Sequence, residues 1–224
     1  MIMEKEKMKA FIAARVAQEL KDGQVINLGI GIPTMVPNYL PDDIDIVLQS
    51  ENGIIGTGAE PLAEDADPFH VTDAGGKPSS VACGGSFLDS STSFGLIRGG
   101  HVDCTVLGTL QVDQTGSLAN WIIPGQKISG MGGAMDLVVG AKRVIIAMEH
   151  TNKGKPKILK ACTFPVTAIH CVDRIITEMC VIDVTDDGLV LKEYNPEFTI
   201  DEIRQATEAD FTVADDLKEM EVSI

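Results

Sequence analysis

LQSENGIIGTG, residues 48–58, carries an apolar run, Ile44–Leu48, into a polar Gln-Ser-Glu-Asn-Gly knot, with glycines at 53, 56 and 58. A short apolar run that stops at polar and glycine residues reads as a buried strand entering a loop. That loop lies at the carboxyl end of the strand, where open α/β sheets present their chemistry. Glu51 is then a lone carboxylate at a strand end, beside residues with almost no side chain. Glycines at such a place let another backbone or a ligand approach closely.

Working outward, the same alternation recurs along the chain. Met8, Phe11, Ile12, Val16 and Leu20 repeat at helical spacing before Gly23, which predicts a helix over about 4–21. QVINL, 24–28, predicts a strand running into GIGIP, and residues 34–40 a short helical turn. Residues 59–80 are rich in Pro, Gly, Asp and Ala, the composition of a long surface excursion or lid. Strands are predicted at 79–83, 101–107, 110–112 and 143–148, and helices over 89–97 and in AMDLVVGA, 134–141. VIDVTDDGLVLKEY predicts a hairpin turning at Asp187-Gly188, and Thr199 with Glu202 a capping box for a last helix to about Glu208. Strands alternating with helices through glycine-rich connections predict a layered α/β/α fold on a mostly parallel, mixed central sheet, with residues 1–224 as a single domain.

Apolar residues make up 44% of the chain, enough for a sizeable core, whereas a formal net charge of −15 argues against nucleic acid or an anionic membrane as partner. Such acidity reads as solubility in a cytoplasm, and any anionic ligand must find its positive charge locally or on another chain. The five cysteines are odd in number and lack CxxC spacing, so reduced thiols are expected and neither disulfides nor zinc. No stretch of about 18 apolar residues predicts a membrane span. His70, His101, His150 and His170 are scattered without metal-ligand spacing, so no metal is expected.

Three segments can carry chemistry. A glutamate side chain is ordinarily ionised at neutral pH and attacks without a general base, provided that the electrophile is as reactive as a thioester. NLGIGIPTM, 27–35, is not a dinucleotide fingerprint, because Thr34 stands where a third glycine is required. It is either a tight strand-to-helix turn or a device that brings Asn27 and bare backbone at Gly29 and Gly31 to a reacting carbon. ISGMGGAMDLV, 128–138, sets glycines directly before a helix. That is either a generic loop or an oxyanion hole of exposed N–H groups at Gly132, Gly133 and Ala134. TNKGKPKILK, 151–160, is a basic run that serves either a ligand's phosphates or solvent, and Glu149-His150 at a strand end either lines the site or is a satisfied pair. Neither a P-loop nor a GxSxG elbow occurs.

NLGIGIP (27–33), SENG with IIGTG (50–58), IRGGHVD (97–103), LANWIIPG (118–125), GMGGAMDLV (130–138), MEHTNKGKPKIL (148–159) and CTFPVT (162–167) together closely resemble the B (beta) half of family I coenzyme A transferases, of the 3-oxoacid, acetate or butyrate–acetoacetate type. The resemblance covers essentially the whole chain. It implies that Glu51 is the nucleophile, that Asn27 lies beside it, and that amides of Gly133 and its neighbours Gly132 and Ala134 face the thioester oxygen. Gly29, Gly31, Asn52 and Gly53 are implied to contact the acyl-CoA, and Lys153, with Lys155 or Lys157, the phosphates. No cofactor is implied as permanently bound, coenzyme A being substrate and covalent intermediate. The chain's length admits the B half alone, which implies a separate A (alpha) subunit and an A2B2 assembly. Two rival readings are a ligand-sensing module on a related fold and an acyl-CoA hydrolase using the same carboxylate.

Overall fold

The computed structural model describes residues 4–126 and 130–224; the part of the glycine-rich segment at 127–129 lies outside them. Four helices are α1 (Lys5–Ala17), α2 (Ser90–Arg98), α3 (Ala134–Gly140) and α4 (Ile200–Ala206). The strands are β1 (Val25–Leu28), β2 (Val47–Ser50), β3 (Ile54–Thr57), β4 (Val81–Phe87), β5 (Cys104–Leu107), β6 (Gln111–Asp113), β7 (Leu118–Ala119), β8 (Val144–Ala147), β9 (Thr151–Asn152), β10 (Lys155–Pro156), β11 (Ile158–Leu159), β12 (Arg174–Ile176), β13 (Cys180–Thr185), β14 (Gly188–Tyr194) and β15 (Phe211–Glu219).

Ten of these strands form one sheet in the order β15-β14-β13-β12-β8-β5-β1-β2-β3-β4. The pairings from β12 through β8, β5 and β1 to β2 are all parallel, and so is β14 with β15; the other junctions are antiparallel. The parallel centre consists of the apolar runs VINL, CTVL, VIIA and RII, and β5 and β8 are buried at every residue. Strands buried on both faces need no polar alternation. Alternate residues feed two cores. Ile26, Cys104, Val106 and Ile145 pack with Ile12 and Val16 of α1, whereas Leu107, Val144, Ile146 and Ile175 pack with Ile97 of α2 and Leu137 and Val138 of α3. The sheet is thus the middle of three layers, as expected from the alternation of elements.

Several expectations shift. The second strand lies at Val47–Ser50, later than 44–48, because Ile44 closes a turn onto Pro41 O at 3.0 Å. Glu51 consequently follows the strand directly. IIGT, read as loop, is strand β3, antiparallel to β2, and extends the sheet to β4. The capping box at Thr199 and Glu202 is present with both bonds, but α4 stops at Ala206. The hairpin between β13 and β14 forms, but it turns at Asp186-Asp187, one residue earlier than expected, because Gly188 already pairs with Thr185.

Candidate active site

Glu51 sits in the tight turn between β2 and β3, closed by Gly53 N–H donating to Ser50 O at 3.0 Å. Its neighbours in the SENG segment turn away from it. Ser50 Oγ accepts from Ala74 N at 2.8 Å, and Asn52 Nδ2 donates to Thr72 O at 2.7 Å. The 59–80 excursion is therefore pinned at its returning end beside the acid. Asn52, expected at the ligand, is an anchor for this segment.

The glycines also divide their work differently from expectation. A Cβ on Gly53, whose φ is +130°, would overlap the Leu88 carbonyl oxygen, and one on Gly56 (φ +76°) would stand 2.8 Å from Gly85 Cα. The room that these residues make is filled by the protein's own backbone, where β3 and the approach to α2 run close. Open space lies instead at Gly31 and Gly132, where nothing comes within 4 Å of a built Cβ. Gly29 is packed on Leu107, with its N–H donating to Val106 O at 2.8 Å.

Two expected partners do meet the carboxylate, one at each oxygen. Asn27, on neighbouring β1 and fully buried, donates from Nδ2 to Glu51 Oε2 at 3.1 Å. On the other side, a Cβ built on Gly133 would lie 3.0 Å from Glu51 Cγ and 3.3 Å from Oε1, so only a glycine leaves the acid its present position. Gly133 caps α3, and Ala134 N–H is already used by Met131 O at 3.3 Å. Among the described residues the N–H groups of Gly132 and Gly133 have no acceptor, which leaves them, rather than Ala134, as donors for a ligand. Glu51 itself makes no ion pair among the described residues.

Reading residue by residue passes over Gln49 and Phe94. Gln49 Oε1 accepts from Asn27 Nδ2 at 2.9 Å, and Phe94 of α2 closes on Gly133. The period of two along VLQSE would have placed Gln49 on the face of Glu51.

The basic run is not joined to this cluster. Lys153, at φ +51° in the exposed turn between β9 and β10, has no hydrogen bond or ion pair to it among the described residues. Burial pushes the Lys157 ammonium down to about 8, against the opposing pull of Glu149 and Glu178. His150 is a satisfied core histidine: its Nδ1 and Nε2 lie 2.9 Å from the Thr177 and Thr207 hydroxyls, and burial, then Lys157, pushes it down to about 4. Burial also raises the thiols of Cys104, Cys162, Cys171 and Cys180 to about 12, so none of these offers a ready thiolate. Among the described residues no cluster of His, Cys, Asp or Glu could hold a metal, and no helix is long and apolar enough to cross a membrane.

The arrangement is a half-buried carboxylate held by one neutral donor, against an open amide-lined bend, at the carboxyl end of a parallel strand. Comparison with known proteins gives the family. The model of the coenzyme A transferase family matches residues 9–206. The beta chain of the acetate CoA-transferase of Haemophilus influenzae is 55% identical over 217 residues, covering 96% of each chain. The B-type chain of a probable succinyl-CoA:3-ketoacid coenzyme A transferase of Bacillus subtilis is 48% identical over 203 residues, 89% of this chain and 93% of that one. In three dimensions, an acyl-CoA transferase apoenzyme from Escherichia coli O157:H7 superposes with a TM-score of 0.75 at 23% identity. This chain covers 43% of that longer one with 96% of its own length, and the likeness speaks for the fold alone. With its sequence matched from the first helix to the last, the chain belongs to the coenzyme A transferase family.

Proposed function

We propose that this chain is the beta-type half of an enzyme that moves coenzyme A between an acyl-CoA and a short-chain carboxylic acid, with Glu51 as covalent carrier. The observation that carries this reading is the division of the carboxylate: Asn27 Nδ2 holds Oε2 at 3.1 Å while Oε1 faces the Gly133 bend. Oε1 attacks the thioester carbonyl, the C–S bond breaks, and CoA leaves as thiolate, giving a mixed anhydride. The thiolate then attacks the glutamyl carbonyl and expels the acyl group as its carboxylate, leaving a glutamyl–CoA thioester. An incoming carboxylate reverses both steps. One anion is exchanged for another at each stage, and no proton moves. Such chemistry needs no histidine or other general base beside the nucleophile.

Catalysis then rests on positioning and on stabilising the oxyanions. Asn27 is placed to hold the glutamyl oxygen as it gains charge in the second step. The N–H groups of Gly132 and Gly133, which have no acceptor among the described residues, would hold the thioester oxygen in the first, where one such donor contributes about 3–4 kcal/mol.

The relatives' names support acetate or a 3-ketoacid as the acid; butyrate and acetoacetate are the alternatives that the sequence resemblance adds. They also support a separate alpha subunit; an A2B2 assembly with it is part of the proposal. Ile30, Met135 and Val139, on the bend after β1 and on α3, are exposed apolar side chains that such a subunit would cover.

The test is to incubate the assembled complex with acyl-CoA and no acceptor acid, reduce with borohydride, and map the peptides by mass. A modification at Glu51 is the expected result; a Glu51→Ala complex that still transfers CoA would overturn the reading. Continued consumption of acyl-CoA without any acceptor acid, beyond the one equivalent per site that loads Glu51, would favour a hydrolase instead.

A further inference from the structure

We infer that Gln49 is a positioning residue for this reaction, acting on Glu51 through Asn27 alone. The inference rests on the reading of Glu51 as nucleophile given above.

Parallel pairing of β1 with β2 sets Asn27 directly beside Gln49, and both are buried, with 1% and 3% of their surface exposed. Gln49 Oε1 accepts from Asn27 Nδ2 at 2.9 Å, and Gln49 Nε2 donates to Ser93 Oγ at 3.0 Å. Ser93 belongs to α2 and is wholly buried. The two ends of the Gln49 amide are thus told apart. Turned over, its NH2 would face the NH2 of Asn27, and the acceptor for Asn27 would be gone. A chain of side chains runs from α2 to the acid: Ser93, Gln49, Asn27, Glu51.

Asn27 is oriented through its nitrogen alone, and the Gln49 side chain gives that nitrogen its shortest bond. Its Oδ1 is buried and has no hydrogen-bond partner among the described residues, so its orientation depends on its nitrogen. Two N–H bonds there meet three acceptors: Gln49 O at 3.1 Å, Gln49 Oε1 at 2.9 Å and Glu51 Oε2 at 3.1 Å. Gln49 supplies two of the three. Without its side chain, the Asn27 amide loses its shortest acceptor and keeps only Gln49 O and Glu51 Oε2, both at 3.1 Å, so it is held less firmly against the turn that would set Oδ1 toward the carboxylate. Gln49 has no contact with Glu51 in this network and meets it only through Asn27.

The test is a double-mutant cycle on the assembled complex, with acetoacetyl-CoA as donor and acetate as acceptor. The variants are Gln49→Met, Asn27→Ala and both together, with Glu51→Ala alongside. Gln49→Met should lower kcat about tenfold, the equivalent of one neutral hydrogen bond, and leave KM for acetoacetyl-CoA within about twofold. In the Asn27→Ala background the same change should cost nothing further. An equal loss in both backgrounds, or a loss confined to KM, would overturn the inference. Where Gln49→Met fails to fold, as seen in its thermal unfolding, Ser93→Ala replaces it. It releases Gln49 Nε2 and should cost a few-fold in kcat in the native background and nothing beside Asn27→Ala; equal losses in the two backgrounds would again overturn the inference. An inactive Glu51→Ala with additive losses at Gln49 removes this inference alone, whereas an active Glu51→Ala removes the underlying reading as well.

Discussion

Two glutamates of this chain, Glu19 and Glu51, are both partly or wholly withdrawn from solvent, and their surroundings are opposite. Glu19 lies just beyond α1, where Arg15 approaches it at 2.8 Å and Arg143 and Arg174 each at 2.6 Å. Burial alone would raise its carboxyl, but Arg174, Arg143 and Arg15 together outweigh burial and bring it to about 2. Arg15 in turn is forked by Glu193 of β14, and Arg174 by Asp183 of β13. This ionic cluster ties α1 to the sheet. Glu51 has no cation beside it among the described residues, only the Asn27 amide and the open bend at Gly133. A carboxylate with both oxygens held by guanidinium groups has its charge neutralised and is a poor nucleophile. One held by a single neutral donor keeps a free oxygen. The first is suited to holding elements together, the second to attack.

The contrast is broken most severely at Glu51. Glu51→Ala should lower CoA transfer by about 10⁴-fold or more while leaving stability within about 1 kcal/mol, because the side chain lines an open bend and fills no core. Steady-state turnover read beside urea unfolding checks both halves. Glu19→Ala should do the reverse. Removing the centre of this charge cluster strands Arg143 and leaves Arg15 and Arg174 one carboxylate each, at a cost of about 3 kcal/mol, and the folded remainder should keep its turnover number. Loss of turnover in folded Glu19→Ala would mean that the two regions are coupled.

Acid sharpens the same comparison. The folded Glu19 carboxyl lies below its ordinary value, so its contribution is fully present above about 4.5 and is lost as pH falls toward about 2. Its loss amounts to roughly 3 kcal/mol. The difference in unfolding free energy between the native chain and Glu19→Gln should therefore shrink between pH 4.5 and 2, and stay constant from about pH 5 to 7. A difference that held constant down to the bottom of that range would show that the arginines do not hold Glu19 ionised.

How much of this could be read in advance differs from strand to strand. VINL, CTVL and VIIA are mostly apolar because they are covered by the two cores, Asn27 and Thr105 being the exceptions, and such runs announce themselves. Edge strand β15, FTVADDLKE, carries the acids and lysine that guard an exposed edge, so its composition resembles a solvated loop. Strand β3 is hidden by its glycines: Gly56 suggests a ligand loop, although the close approach that it permits is to Gly85 of β4. At the site, Glu51 is conspicuous by position, and Asn27 and Gly133 by the resemblance. The period of two sets Gln49 on the face of Glu51, but its link to Asn27 is legible only once the register of β1 on β2 is known, because a lone glutamine in a strand has no signature of its own.

The finest test of the comparison lies in two adjacent glycines. Gly133 has φ −83°, a conformation open to any residue, so Gly133→Ala meets no backbone penalty; its methyl group instead presses on Glu51 Cγ at 3.0 Å and Phe94 Cε1 at 3.3 Å. The carboxylate must move by a few tenths of an ångström, enough to disturb its bond to Asn27. Turnover should fall about tenfold, the scale of one weakened hydrogen bond, with the melting temperature nearly unchanged. Gly132 has φ +56° and nothing within 4 Å of a built Cβ, so Gly132→Ala should do the opposite, costing about 1–2 kcal/mol in backbone strain while Glu51 stays where it is. Paired melting curves and turnover numbers separate the two. Were Gly133→Ala to turn over at the native rate, the close contact between this bend and the acid would have no part in catalysis.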